Sequence, residues 1–139
     1  MPLYELGMTQ EDIIEASKPA PEADYLLTFE GFILYHEGKD DEDIYHPTKA
    51  GGRMVKGKFR IESENPKASG KRIVYNGVVG SFSFENMSLA LPFMKGTGID
   101  SDAANGRQVR AHVIEKSYTN PETDETTLSN EIKGKMRPA

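Results

Sequence analysis

The 139-residue chain has no cysteine, no tryptophan and only three histidines. No apolar run approaches the roughly 18 residues of a membrane span. Without thiols there is no disulfide framework and no thiolate zinc site, and a reducing cytosol is the plain reading. The opening MPLYELGMTQED has neither a basic region nor an apolar core, so no signal peptide is expected. His36, His46 and His112 lie far apart, and none has a second metal-ligating neighbour at helical spacing. Each reads as a solvated or partner-facing imidazole. There is no G-x-S-x-G elbow. Gly51-Gly52 and Gly96-x-Gly98 do not follow a strand and open a helix, as dinucleotide-binding glycines do. The acidic run Asp40-Asp41-Glu42-Asp43 and the pair Asp100 and Asp102 lack EF-hand spacing and read as solvated loops. The sequence therefore predicts a protein with no catalytic residues, no cofactor and no bound metal.

What is present suits a single domain. With 37% hydrophobic residues the chain has enough branched and aromatic side chains for a core, and its length is short for two domains. The net charge of −5 is unevenly spread: residues 1–52 carry −9 and residues 53–139 carry +4. Two readings fit: an anionic partner for the second part, or an acidic solvated beginning joined to an ordinary remainder.

Residues 1–23 read as a lead-in. Thr9 before Gln10-Glu11-Asp12 supplies a capping hydroxyl for a helix over about residues 10–17, and Pro19 and Pro21 stop it. The domain proper begins near Asp24. Residues 24–36 read as one long strand, with Gly31 marking a bulge or sharp bend. A long polar loop follows to Gly52. In residues 53–62, Val55, Gly57, Phe59 and Ile61 alternate with Met54, Lys56, Lys58 and Arg60, the pattern of a half-buried strand. Residues 71–80 make a third strand containing Ile73 and Tyr75. Phe82, Leu89 and Phe93, with Met87 and Ala90 nearby, then recur at helical spacing, with Ser83 and Asn86 near the start, Gly96 and Gly98 as a stop, and Pro92 dividing the segment into two short turns. Residues 107–119 alternate again, Val109, Ala111 and Val113 against Gln108, Arg110, His112, Ile114 and Lys116. Asn120–Glu125 is a hairpin tip by composition, and residues 127–136 form the last strand. The expected fold is mostly β, a five-stranded OB-fold-like barrel. One helical segment lies between strands three and four, and a short helix precedes the barrel.

The basic residues are the informative ones. Lys56, Lys58 and Arg60 share a face of the second strand; Lys71 and Arg72 open the third. Arg110 and Lys116 share a face of the fourth, and Lys133, Lys135 and Arg137 lie on the fifth. Positions i and i+2 point the same way, so each set is a stripe, and neighbouring stripes merge into a groove that tracks a phosphate backbone. Exposed strands carry lysine for solubility as well, but repetition over several strands favours a binding face. Tyr35, Tyr45, Tyr75 and Tyr118 are the candidate stacking platforms for bases. Tyr45 and Tyr118 lie in or beside the two loops that flank the ligand cleft of OB domains. Phe29, Phe32, Phe59, Phe82, Phe84 and Phe93 are assigned to the core, and Tyr25 and Tyr75 suit core positions with the hydroxyl at the rim.

Several segments resemble a known family. Pro21-Glu22-Ala23-Asp24-Tyr25 is similar to the P-x-G-x-Y opening of small phage-encoded single-stranded-DNA-binding proteins, with alanine at the glycine position. Gly52–Phe59 and Gly70–Ile73 resemble their second and third strands. Leu91–Gly98 followed by Gly106–Ala111 resembles their connecting helix and fourth strand, and Asn130–Lys133 with Arg137–Ala139 their ending. The resemblance covers about residues 20–139. It implies an OB-fold and sequence-independent binding of single-stranded DNA in phage replication or recombination, in the host cytoplasm. The ending Lys-Met-Arg-Pro-Ala is not the acidic tail through which many such proteins recruit partners. The acidic material lies instead before residue 20 and over residues 40–43, where it competes with DNA or contacts a partner.

The expected partners are single-stranded DNA, replication or recombination proteins and a second copy forming a homodimer through exposed strand edges, with no membrane. Two other classes fit less of the sequence. A virion or assembly module does not require basic stripes. An inhibitor of a host nucleic-acid enzyme would use its acidic first third as a DNA mimic.

Overall fold

Gly31 is the hinge of the main sheet. The computed structural model describes residues 3–37 and 41–139. Strand β1 (Ala23–Ile33) pairs antiparallel with β5 (Arg53–Glu62), and the register runs Phe29 opposite Phe59, then Gly31 opposite Lys58. Glu30 is the extra residue of this bulge, and Gly31 takes a φ of +115°, which glycine adopts without a Cβ penalty. Gly57 is needed on β5 for another reason. A Cβ there would sit 2.9 Å from Met87 Sδ and 3.0 Å from the Phe29 ring.

The region read as one long loop contains three short strands, β2 (Tyr35–Glu37), β3 (Asp41–Asp43) and β4 (His46–Pro47), of which β4 continues the sheet along β5. Lys39 and Asp40 lie outside the described residues. Strand β6 (Arg72–Val78) pairs with β5 on the side away from β1. After helix α2 (Phe82–Ala90) come the tiny strands β7 (Met94–Lys95) and β8 (Gly98–Ile99). Then β9 (Gln108–Thr119) pairs with β1, and β10 (Thr126–Pro138) with β9. The order across the sheet is β6-β5-β1-β9-β10, antiparallel throughout.

The structure is mostly β with two helices, and the sheet does not close into a hydrogen-bonded barrel. Closure needs β6 to pair with β10. Their seam is instead held by one side chain from α2. Asn86, buried, donates through Nδ2 to the Gly134 carbonyl at 2.9 Å and to the Tyr75 hydroxyl at 3.1 Å, and its Oδ1 accepts from Met136 N–H at 2.7 Å. Its amide supplies the donor and acceptor that a neighbouring strand would have offered β10.

The core lies inside the curled sheet. Leu27, Phe29, Val55, Phe59, Ile61, Val109 and Val113 come from alternate positions of β1, β5 and β9, as the alternation predicts. A chain of edge-on rings, Phe59, Phe29, Phe32, Phe93 and Phe84, runs through it with centroids 5.1–5.8 Å apart. The face expected for α2 is corrected at Phe82 and Leu89, which are 61% and 67% exposed, whereas Met87, Ala90 and Phe93 are buried together with Asn86. The helix ends at Ala90, before Pro92, and Gly96 instead turns the β7–β8 hairpin with a φ of +61°. His46 is also corrected, being buried with Nε2 2.7 Å from the Ile33 carbonyl.

Helix α1 (Gln10–Ser17) has the expected capping box: Thr9 Oγ1 accepts from Asp12 N–H, and the Asp12 carboxylate accepts from Thr9 N–H. The segment after it is part of the packed body. Asn130 pairs its amide with both backbone groups of Ala20, which is fully buried, and Tyr25 Oη donates to the Pro21 carbonyl at 2.6 Å. No described helix is long and apolar enough to cross a membrane.

Candidate nucleic-acid interface

The ladders decide which cations share the outer face. On β9 the outward set is Gln108, Arg110, His112, Ile114, Lys116 and Tyr118, because Val109, Ala111 and Val113 point into the core. On β10, Lys133, Lys135 and Arg137 point outward, opposite in face to the buried Ile132 and Met136. Arg137 lies opposite Arg110 and Lys133 opposite His112. Arg110, Lys133, Lys135 and Arg137 thus line one open cavity of about 340 Å3 together with Asp24, Ala111 and His112. None of these four cations has an ion-pair partner among the described residues. The cavity's one carboxylate, Asp24, is 2.8 Å from His112 Nδ1, and Glu22 is 3.8 Å from His112 Nε2.

The other predicted cations divide into free and engaged. Lys56 and Lys58 point outward from β5, half-buried and without an ion-pair partner among the described residues. Arg60 and Arg72 are engaged in ion pairs. Arg60 lies 2.8 Å from Glu62 and 3.4 Å from Glu30, and Arg72 lies 2.8 Å from Glu30. The bulge at Gly31 is what aims Glu30 across this face. Lys116 is likewise paired, 3.4 Å from Glu131, and Lys71 donates to the Lys18 carbonyl. The stripes of β9 and β10 thus adjoin, while the stripe of β5 lies apart from them. From Leu26, which faces Arg110, to Ile33, which faces Lys56, β1 spans about 23 Å. Glu30 and Glu62 occupy the ground between.

These carboxylates tie acid stability to the face. The Arg72 hydrogen bond, with the charges of Arg72, Arg60 and Lys58, holds the Glu30 carboxyl below the usual glutamate range against the opposing effect of burial. Glu62 is lowered chiefly by its bond to Arg60, then by that from Thr28. A depressed folded value stabilises the fold above the unfolded carboxylate range, near pH 4.3, and that stability is lost as pH falls through the lower folded value. Glu30→Gln is therefore expected to lower the denaturation midpoint at pH 7 and to narrow the gap between pH 7 and pH 3. Equal acid sensitivity in variant and parent would remove Glu30 from this role.

The four tyrosines do not act alike. Tyr75 is half-buried, with its hydroxyl accepting from Asn86 at the seam, which is the second of its two expected placements. Tyr35 is edge-on to His46 at 5.4 Å, and Tyr45 carries the Arg53 guanidinium 4.7 Å above its ring. Both line a cavity of about 540 Å3 whose charged walls are Glu37, Glu42, Asp43 and Arg53. Three carboxylates there oppose a phosphate backbone. Tyr118 alone of the four presents an open ring, 64% exposed, on the β9–β10 hairpin.

Asn86 and Asn130 have no signal in hydrophobic periodicity. Glu62 did have one, since it continues the Met54–Arg60 alternation by one more step. Among the described residues no group of His, Asp and Glu is placed to hold a metal ion. Comparison of the chain with models of known families, with curated proteins and with solved structures finds no match.

Proposed function

We propose that this chain is a non-catalytic binder of single-stranded DNA built on an OB-like sheet. The observation that carries the reading is the group of four unpaired cations, Arg110, Lys133, Lys135 and Arg137, around one open cavity. They lie on two adjoining strands around one cavity, and anion binding there needs no prior breaking of an ion pair among the described residues. Lys56 and Lys58 extend the contact toward the other end of β5, and Tyr118 offers a ring for base stacking. The strand order β6-β5-β1-β9-β10 with α2 between β6 and β9 supports the OB-like assignment. The resemblance of residues 20–139 to phage single-strand binders supplies the setting, replication or recombination in a host cytoplasm.

The test is fluorescence anisotropy of a labelled oligo-dT titrated with the protein, beside a duplex control. Four phosphate contacts to a single strand predict a slope of log K against log salt near −3, or roughly a 50-fold loss between 50 and 200 mM salt. Binding without salt dependence, or equal binding to duplex, would overturn the reading. One observation favours a second reading, a protein-interaction module: the tyrosine-lined cavity with Glu37, Glu42 and Asp43 suits a basic side chain. Binding of a basic protein and no binding of oligonucleotide would select it.

A further inference from the structure

Residues 3–17 carry apolar side chains that the described residues leave largely exposed. Leu3, Tyr4, Leu6 and Met8 precede α1, Ile13 and Ile14 lie on it, and their exposures run from 40% at Ile13 to 92% at Leu3. The same segment holds Glu5, Glu11, Asp12 and Glu15 and no basic residue. An eight-residue helix is marginal on its own, even with its capping box. An acidic arm with this much apolar surface in water has the character of one half of an interface.

The matching half lies on the same molecule. Between β6 and β10 the seam opens, beyond the reach of Asn86, into a cleft of about 630 Å3. Its walls include Lys71, Arg72, Val74 and Leu128, with Lys18 and Pro19 at one end. Val74 and Leu128 are 47% and 49% exposed. The β6 edge facing the cleft is unpaired. Ile61 N–H donates to the Lys71 carbonyl at 2.8 Å, and the alternation beyond it directs the backbone groups of Arg72, Val74 and Asn76 away from β5. Among the described residues no strand pairs with that edge. Such an edge is a template for an added strand.

The charges are complementary as well. Lys67 and Lys71 stand at this end of the molecule, opposite in sign to the arm. The arm's last carboxylate already feels them: Glu15 is held below its usual range first by Lys18, then by Lys67 and Lys71. Helix α1, about 12 Å long, separates residues 3–8 from the cleft of their own copy.

We infer that two copies of this chain pair by exchanging these arms, residues 3–8 of one lying extended along β6 in the cleft of the other. Tyr4, Leu6 and Met8 fall on one side of such a strand and cover Val74 and Leu128, while the arm's carboxylates face Lys67 and Lys71. The exchange assigns Lys71 and Arg72 to a protein interface rather than to phosphate. It does not rest on the nucleic-acid reading, since the Arg110 cavity and this cleft share no lining residue, although β10 borders both.

The absence of cysteine makes the test clean. Leu6→Cys and Val74→Cys are made in separately tagged full-length chains, mixed and mildly oxidised. A disulfide between unlike tags is expected. The parent is expected to sediment at twice 15.4 kDa, and Leu6→Glu/Met8→Glu at the monomer mass with its circular dichroism unchanged. A parent that stays monomeric across the accessible concentration range would overturn the inference, as would a dimer that survives Leu6→Glu/Met8→Glu. A Leu6→Cys/Val74→Cys double variant that closes within one monomeric chain would overturn it too, by showing that the arm covers its own cleft.

Discussion

Replacing Arg110, Lys133, Lys135 and Arg137 together by alanine is expected to abolish measurable oligo-dT binding while leaving the fold intact. All four side chains are exposed and none is ion-paired among the described residues, so their removal takes nothing from the core and orphans no carboxylate. Counterion release sets the size of the effect. Each phosphate contact to a single strand contributes about 0.7 to the salt slope, so at 50 mM salt four contacts account for on the order of 10^3-fold in affinity. The slope should fall with the affinity, to the smaller value that Lys56 and Lys58 alone support. A control variant losing Lys49 and Lys95, exposed lysines on other parts of the surface, should bind as the parent does. Lys56→Ala/Lys58→Ala should fall between the two. The measurement is the anisotropy titration at several salt concentrations, with circular dichroism to establish folding. Losses in proportion to the charges removed, four in the cluster and two in the control, would mean that net charge alone, not this cavity, governs binding.

How much of this was legible in the sequence follows from which forces act locally. Alternation placed Lys56, Lys58 and Arg60 on one face of β5 and Arg110 on the outer face of β9, because period two in a half-buried strand leaves little choice. The bulge at Gly31 and the cap at Thr9 were readable because glycine and threonine favour those backbone geometries for local reasons. Long-range ion pairing was not readable. Glu62 lies two residues from Arg60 on the same face of β5, but only the register sets Glu30 beside Arg60 and Arg72, 30 and 42 residues from it. Helix α2 misled for a related reason. Its apolar spacing through Phe82 and Leu89 is as regular as a core face, but the helix must turn Asn86 toward the seam, and its aromatic residue at position 82 is left in water. A polar group that substitutes for a strand pairing overrides the hydrophobic pattern, since an unmet backbone group inside the protein costs as much as a lost side chain contact.

That substitution can be weighed directly. Asn86→Leu keeps much of the side-chain volume but removes both donors and the acceptor at the seam. The Gly134 carbonyl, the Tyr75 hydroxyl and the Met136 N–H lose their partner at once. Each buried polar group left unsatisfied costs about 1–3 kcal/mol, and water reaching the seam recovers part of it, so a total of roughly 3–5 kcal/mol is expected. For a chain of this length that is a fall in Tm on the order of 15 °C. Asn86→Asp should be at least as damaging, because a carboxylate keeps the acceptor for Met136 N–H but faces the Gly134 carbonyl with no donor and places a charge in a buried site. Lowering the pH should help Asn86→Asp and not Asn86→Leu, since a protonated aspartic acid regains one donor. Thermal melts of both variants at neutral and acid pH, each against the parent at the same pH, separate the two effects. A Tm within a few degrees of the parent for Asn86→Leu would mean that core packing alone holds β6 against β10. The amide would then be an occupant of the seam rather than its fastening.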